Sequence, residues 1–241
     1  MRDLSVYFDN LRDHADDDND VNMEIHSCPE LMARIQQVGF LPLLDSGITG
    51  YSAEAMMAEE CRFTQFDDGS WEWPLWQWKS AVVTEGNCVY GKFFASKAGF
   101  VSRKWWPHLY NWRRHTHDKP QEDSIEDIIL TTLRKNGSMI TRELRKACGF
   151  TEPKMRGKFD RYITLLQMAC RIVTQDFVYP TDRHGNEYGF GWALLTTPES
   201  LLGRDQCQCD VSPEESYALM MQHMEHIVPQ ATTKQIQRML R

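Results

Sequence analysis

Residues 124–149 read SIEDIILTTLRKNGSMITRELRKACG. Ser124 precedes an apolar periodic run and Asp127 follows three residues later, the pattern of a capped helix start. Ile125, Ile128, Ile129 and Leu133 then fall on one helical stripe, and Gly137 closes it. Residues 138–140 are a short extended piece. Thr141 is the expected N-cap of a second helix, which Gly149 ends. A third helix is expected over KMRGKFDRYITLLQMA (154–169), with Phe159, Ile163 and Leu166 facing a core. Arg156, Lys158 and Arg161 come off its other sides. The β-branched and aromatic run CRIVTQDFVYP (170–180) reads as a strand. TDRHGNE is a turn with Gly185 supplying positive φ, and YGFGWALLTTP is the return strand.

Helix, short strand, helix, helix, hairpin is the order of a winged helix, a helix-turn-helix with a β-hairpin appended. The third helix of that fold enters the major groove, and its wing touches an adjacent groove or phosphate. On this reading Arg156, Lys158, Arg161 and Tyr162 lie on the recognition helix, with Arg183 and His184 at the wing tip. Winged helices also serve as protein-interaction modules, and the basic third helix favours DNA.

Working outward, residues 1–27 form an acidic lead-in and 28–119 a first domain. Residues 120–198 hold the winged helix, after a polar linker at 117–124, and 199–241 are C-terminal helices. Leu31, Ile35 and Val38 stand at helical spacing before Gly39. FLPLL (40–44) is a short buried strand or turn, with Pro42 placing it at an edge or bend. FDDGSWEW (66–73) reads as a loop, and PLWQWKSAVVTEG (74–86) as a further element closed by glycine. SPEE (212–215) and Thr232 with Gln235 mark two capping boxes. The methionines between them, at helical spacing, read as core filler.

The net charge of −7 argues against nucleic acid until its distribution is considered. Residues 1–30 hold nine acids against two bases. Residues 88–119 hold seven bases and one acid, and residues 134–161 nine bases and three acids. In the first basic stretch Lys92, Lys97, Arg103, Lys104, Arg113 and Arg114 are the candidate phosphate contacts. In the second they are Arg156, Lys158 and Arg161, with Arg183 beyond. No run approaches the apolar length of a membrane span. The seven scattered cysteines fit reduced thiols in a cytoplasm. The CxC at Cys207 and Cys209 and the histidines at 108, 115, 117, 223 and 226 lack further convincing ligands, so no metal and no cofactor is expected.

These segments resemble the AlkZ/YcaQ family of winged-helix DNA glycosylases, and within it an AlkZ-related branch. The resemblance spans roughly residues 30–200 in one order. The family's middle motif, Phe-Glu-Tyr-Trp-Ala-His-x-Ala, is matched without a gap by Gly91-Lys92-Phe93-Phe94-Ala95-Ser96-Lys97-Ala98. The spacing from there to the aromatic-proline pair Trp106-Pro107 is preserved. Residues 124–144 resemble the family's following winged helix, and GFGWALLTTPE (189–199) its closing strand and turn. The resemblance implies a mixed fold, mainly α with small β-hairpins (α+β), built of tandem winged helices around a basic DNA channel.

It also implies a reaction, hydrolysis of the N-glycosidic bond of alkylated or crosslinked bases. The family uses a Gln-apolar-Gln or Gln-apolar-Asp motif whose oxygen stabilises an oxocarbenium-like sugar and positions water. Here Pro42 and Leu44 occupy the two polar positions, and Lys92 and Ser96 replace the middle motif's Glu and His. Three readings follow. The first is a winged-helix protein that binds double-stranded DNA, intact or damaged, without Gln-dependent catalysis. The second is an active glycosylase using a relocated carboxylate, Asp45 or less favourably Glu72. The third is a protein-interaction module.

Overall fold

The computed structural model describes residues 24–185, 189 and 191–241. The first part of the chain runs α1 (Cys28–Val38), β1 (Phe40–Pro42), α2 (Ala53–Met56), β2 (Thr64–Gln65), β3 (Trp71–Glu72), α3 (Pro74–Glu85), β4 (Cys88–Phe94), β5 (Lys97–Ser102) and α4 (Trp106–Thr116). The second runs α5 (Ile125–Asn136), β6 (Met139–Ile140), α6 (Thr141–Ala147), α7 (Arg156–Met168), β7 (Val173–Val178) and β8 (Trp192–Thr196). The chain then returns through α8 (Pro198–Leu202), α9 (Pro213–Ile227) and α10 (Thr233–Leu240). The class is α+β.

The strands do not stay in separate small hairpins. Six of them form one antiparallel sheet in the order β1-β5-β4-β7-β8-β6. Tyr90 of β4 pairs with Thr174 of β7, which joins the strands of the two halves. Pro42 sits on edge strand β1 opposite Gly99, where its missing N–H leaves no gap in a central ladder. The β4–β5 hairpin turns through Ala95 and Ser96, both with positive φ (49° and 69°). Within it Gly91 and Gly99 oppose each other. A Cβ on either would meet the Phe93 or Phe94 ring at 2.7 and 2.5 Å, so the aromatic rings close over bare backbone.

The buried apolar residues form two cores, each including residues of the sheet. The larger gathers α1, α3, β4, β5 and α4, with Phe93, Phe100 and Trp106 fully buried. The expected C-terminal segment packs into this core through Leu219, Met220, Met224, Ile236, Met239 and Leu240. Each such side chain contributes about 1.5–3 kcal/mol by leaving water. Ser212 with Glu215 and Thr232 with Gln235 close the two expected capping boxes. The smaller core holds Ile129, Leu130, Leu133, Leu144, Phe159, Ile163 and Leu166.

Four local expectations are corrected. Residues 1–23 of the acidic lead-in lie outside the described residues, but Ile25 is buried and bonded through its backbone to Met56 and Ala58. Residues at the end of that segment therefore belong to the core. Residues 64–72 form the β2–β3 hairpin instead of a plain loop, with Asp68 accepting from the Ser70 N–H inside the turn. Ile128 is 43% exposed and Leu130 takes its place in the stripe. Thr141 does not cap α6, since its hydroxyl donates to the Ala193 carbonyl on β8.

Candidate nucleic-acid interface

Helix α7 is positioned by its apolar side. Phe159, Ile163 and Leu166 recur at i, i+4 and i+7 and are buried, which turns Arg156, Lys158 and Arg161 to solvent. Among the described residues none of these three cations has a carboxylate within ion-pair distance. Lys154, just before the helix, pairs with Glu152 at 2.9 Å. Arg183, on the β7–β8 turn, is also exposed and donates from Nε to His184 at 3.0 Å. Residues 186–188 and 190 of that turn lie outside the described residues.

The C-terminal half of α7 is fastened to the β4–β5 hairpin. Gln167, 4% exposed, accepts the Lys92 backbone N–H at 2.6 Å. Lys92 Nζ donates to the Thr164 hydroxyl at 3.1 Å. The Ser96 N–H and hydroxyl both point at the Met168 sulfur, at 3.0 and 3.3 Å. Lys92 and Ser96 thus both contact α7 and pack the hairpin onto it.

Asp45 lies at the same hairpin. Pro42 and Leu43 are packed away, while Leu44 and Asp45 reach the surface. Lys97 Nζ donates to the Asp45 carbonyl at 2.6 Å and stands 3.3 Å from its carboxylate. The Gly47 N–H donates to the other carboxylate oxygen at 2.9 Å. The Gly47 N–H first, and Lys97 second, hold the Asp45 carboxyl below its ordinary range. The group is ionised at neutral pH and its side chain is 80% exposed. Glu72, on β3, is exposed as well.

The remaining cations of the first basic stretch differ in exposure and in partners. Arg113 is withdrawn as a phosphate contact because it is completely buried. Its Nε donates to the Leu240 carbonyl at 3.0 Å, Nη1 to Met168 at 2.8 Å and Nη2 to Phe93 at 2.8 Å. Burial lowers its pKa to about 10, so it remains a cation at neutral pH, satisfied by three carbonyl dipoles. Arg114 faces Glu199 at 3.5 Å and lies over the Tyr110 ring. Arg103 is half-buried, and Lys104 is exposed beside the Trp105–His223 stack.

Among the described residues three buried cations escaped the sequence reading, Arg34, Lys79 and Arg171. Lys79 on α3 is 1% exposed, between the Trp76 and Phe177 rings at 3.2 and 3.9 Å. Burial lowers its pKa to about 7. Its spacing carried the signal, since Leu75, Lys79 and Val82 share the inward face of α3. Arg171, 5% exposed, donates to the His117 and Asp118 carbonyls, and no local pattern marks it.

The histidines weighed as ligands are spread over separate contacts. His115 faces Glu214 at 3.2 Å, His117 meets the Arg113 carbonyl, and His223 donates to the Val38 carbonyl at 3.0 Å. Cys207 is buried, while Cys209 lies near the Pro107 carbonyl and Ser216. Among the described residues no three His, Cys, Asp or Glu side chains are grouped to hold a metal ion. No helix among them is long and apolar enough to cross a membrane.

Comparison with known proteins gives one result. No curated protein and no solved structure matches the chain. The family model described as AlkZ related matches residues 25–241, nearly all of the sequence and the whole span in which both cores and the α7 face are built, and the chain belongs to that family.

Proposed function

We propose that this protein binds double-stranded DNA through the exposed face of α7, as a relative of DNA-repair glycosylases that does not use the family's Gln-dependent chemistry. The observation that carries the reading is the set of three exposed cations, Arg156, Lys158 and Arg161, with no carboxylate partner among the described residues. The element order supports it. Helix α5, strand β6, helices α6 and α7, and the β7–β8 strands follow the winged-helix sequence, and β6 pairs with β8. In that architecture α7 is the helix that enters the major groove, and the turn bearing Arg183 is the wing. A tandem arrangement would make 28–119 the first unit and 120–198 the second.

The half-buried or engaged cations Lys92, Arg103 and Arg114 contribute less than the α7 set, and Lys97 and Lys104 add contacts at the rim. The test is anisotropy of a labelled duplex across a salt series. Affinity is expected to fall steeply with salt, each phosphate contact adding about −0.9 to the log–log slope. Salt-insensitive or absent binding overturns the reading.

A second reading is favoured by Asp45, an ionised carboxylate beside Lys97 at the hairpin fastened to α7. Such a group could stabilise an oxocarbenium-like sugar. Incubation with alkylated DNA followed by alkaline cleavage of abasic sites tests it. Activity lost in Asp45→Asn supports a relocated carboxylate, and activity unchanged in that variant removes Asp45 from the chemistry.

A further inference from the structure

A cavity of about 590 Å³ opens between α4, α5 and the segment from Thr197 to Gln208. Its lining is more polar than apolar, and it brings together residues nearly a hundred positions apart. Tyr110 comes from α4, Arg134 from the last turn of α5, and Glu199, Arg204 and Gln208 from the returning chain. Glu199 is the one carboxylate among the lining residues. It is already engaged, accepting from the Tyr110 hydroxyl at 2.6 Å and facing Arg114 at 3.5 Å.

The cations around it are in excess. Arg134 and Arg204 are exposed at the mouth, and among the described residues neither has a carboxylate within ion-pair distance. Arg171 stands nearby, 5% exposed, with its Nε buried and lacking a hydrogen-bond partner. Burial lowers the Arg171 pKa, and the charges of Arg114 and, more weakly, Arg134 lower it further. Four guanidiniums therefore share this region with one lining carboxylate. Mutual repulsion of this kind is relieved by a bound anion. Guanidinium forks match phosphate oxygens, and the Thr197 and Ser200 hydroxyls, bonded to each other at 2.8 Å, also line the cavity. The volume is that of an ordinary small-molecule site, larger than a lone oxyanion needs.

We propose that this cavity binds a phosphate monoester of about nucleotide size, held by Arg134 and Arg204. The monoester's second negative charge distinguishes it from an internal DNA phosphate, which carries one. The same group occurs on a free mononucleotide and on the 5′ end of a DNA strand. The site is separate from the α7 face and does not depend on the reading given above.

The test is isothermal titration calorimetry of the full chain with adenosine 5′-monophosphate, adenosine, and duplexes with and without a 5′-terminal phosphate. The monophosphate is expected to bind at least about tenfold more tightly than adenosine, and Arg134→Gln with Arg204→Gln to remove that difference. Both arginines are exposed, so the double variant is expected to keep its unfolding midpoint. Its salt-dependent duplex binding through α7 should be retained, which separates the two proposals. Competition of the nucleotide by a 5′-phosphorylated duplex, and not by the unphosphorylated one, assigns the site to a strand terminus. Nucleotide binding without such competition assigns it to a free nucleotide. Equal affinity for adenosine and its monophosphate, or no loss in the double variant, overturns the proposal.

Discussion

The two basic stretches look alike on paper and behave differently in the fold. In 88–119 four of the seven cations have partners within the fold: Arg113 is buried on three carbonyls, Arg114 faces Glu199, Lys97 faces Asp45 and Lys92 meets Thr164. In 134–161 the cations of α7 are exposed, without ion pairs among the described residues. Charge in a sequence is therefore an inventory, and the charge offered to a partner is what remains after folding has used its share.

The sharpest way to break this contrast is Arg113→Met. It keeps an unbranched apolar stem but leaves the carbonyls of Phe93, Met168 and Leu240 without their donor. A loss of about 3–5 kcal/mol is expected in urea unfolding. A loss under about 1 kcal/mol would mean that the carbonyls find other partners and that the contrast is overdrawn.

Acid is expected to weaken the same region next. His108 and His223 lie at 5.5 and 4.2 Å from the Trp105 ring, and burial lowers each pKa to about 4. The unfolded chain binds these protons near pH 6.5, before the folded one does. The stability they contribute is therefore complete above about pH 6.5 and is lost as pH falls towards 4. Urea titrations at pH 8 and pH 5 should differ by about 2 kcal/mol for each ring. NMR titration of the two imidazoles at ordinary values would remove the effect.

On the other side of the comparison, Arg156→Gln, Lys158→Gln and Arg161→Gln together should leave stability within about 0.5 kcal/mol, since exposed charges contribute little. Duplex affinity should fall about 10- to 100-fold near physiological salt, with the salt slope reduced by about 3. The smallest effect belongs to Lys97→Ala. The unfolding midpoint should not move, and NMR should show the Asp45 carboxyl titrating at higher pH than in the parent. It should still titrate below its ordinary value, because the Gly47 N–H remains.

What could be read in advance follows from what was locally encoded. Ser124, Ser212 with Glu215, and Thr232 with Gln235 announce helix starts within a few residues, and the structure keeps all three. The inward face of α7 was legible for the same reason. The β4–β5 hairpin was not, because Ala95 and Ser96 turn it at positive φ where Gly or Asn would have signalled a turn. Nor was the burial of Arg113, whose acceptors come from positions 93, 168 and 240. The charged residues proposed for DNA were visible as a list. Which of them stay in solvent was decided by contacts made across the whole chain.

Arg113 also bears on the motions of α7. One rigid planar group grips the end of that helix, the end of β4 and the end of α10. The Met168 end of α7 therefore has little freedom to swing as a unit apart from the sheet. The entropy cost of setting its orientation is incurred when the chain folds, not when a partner arrives. Association through this face should resemble the docking of two preset bodies, with a small heat-capacity change and few backbone amides gaining protection from exchange.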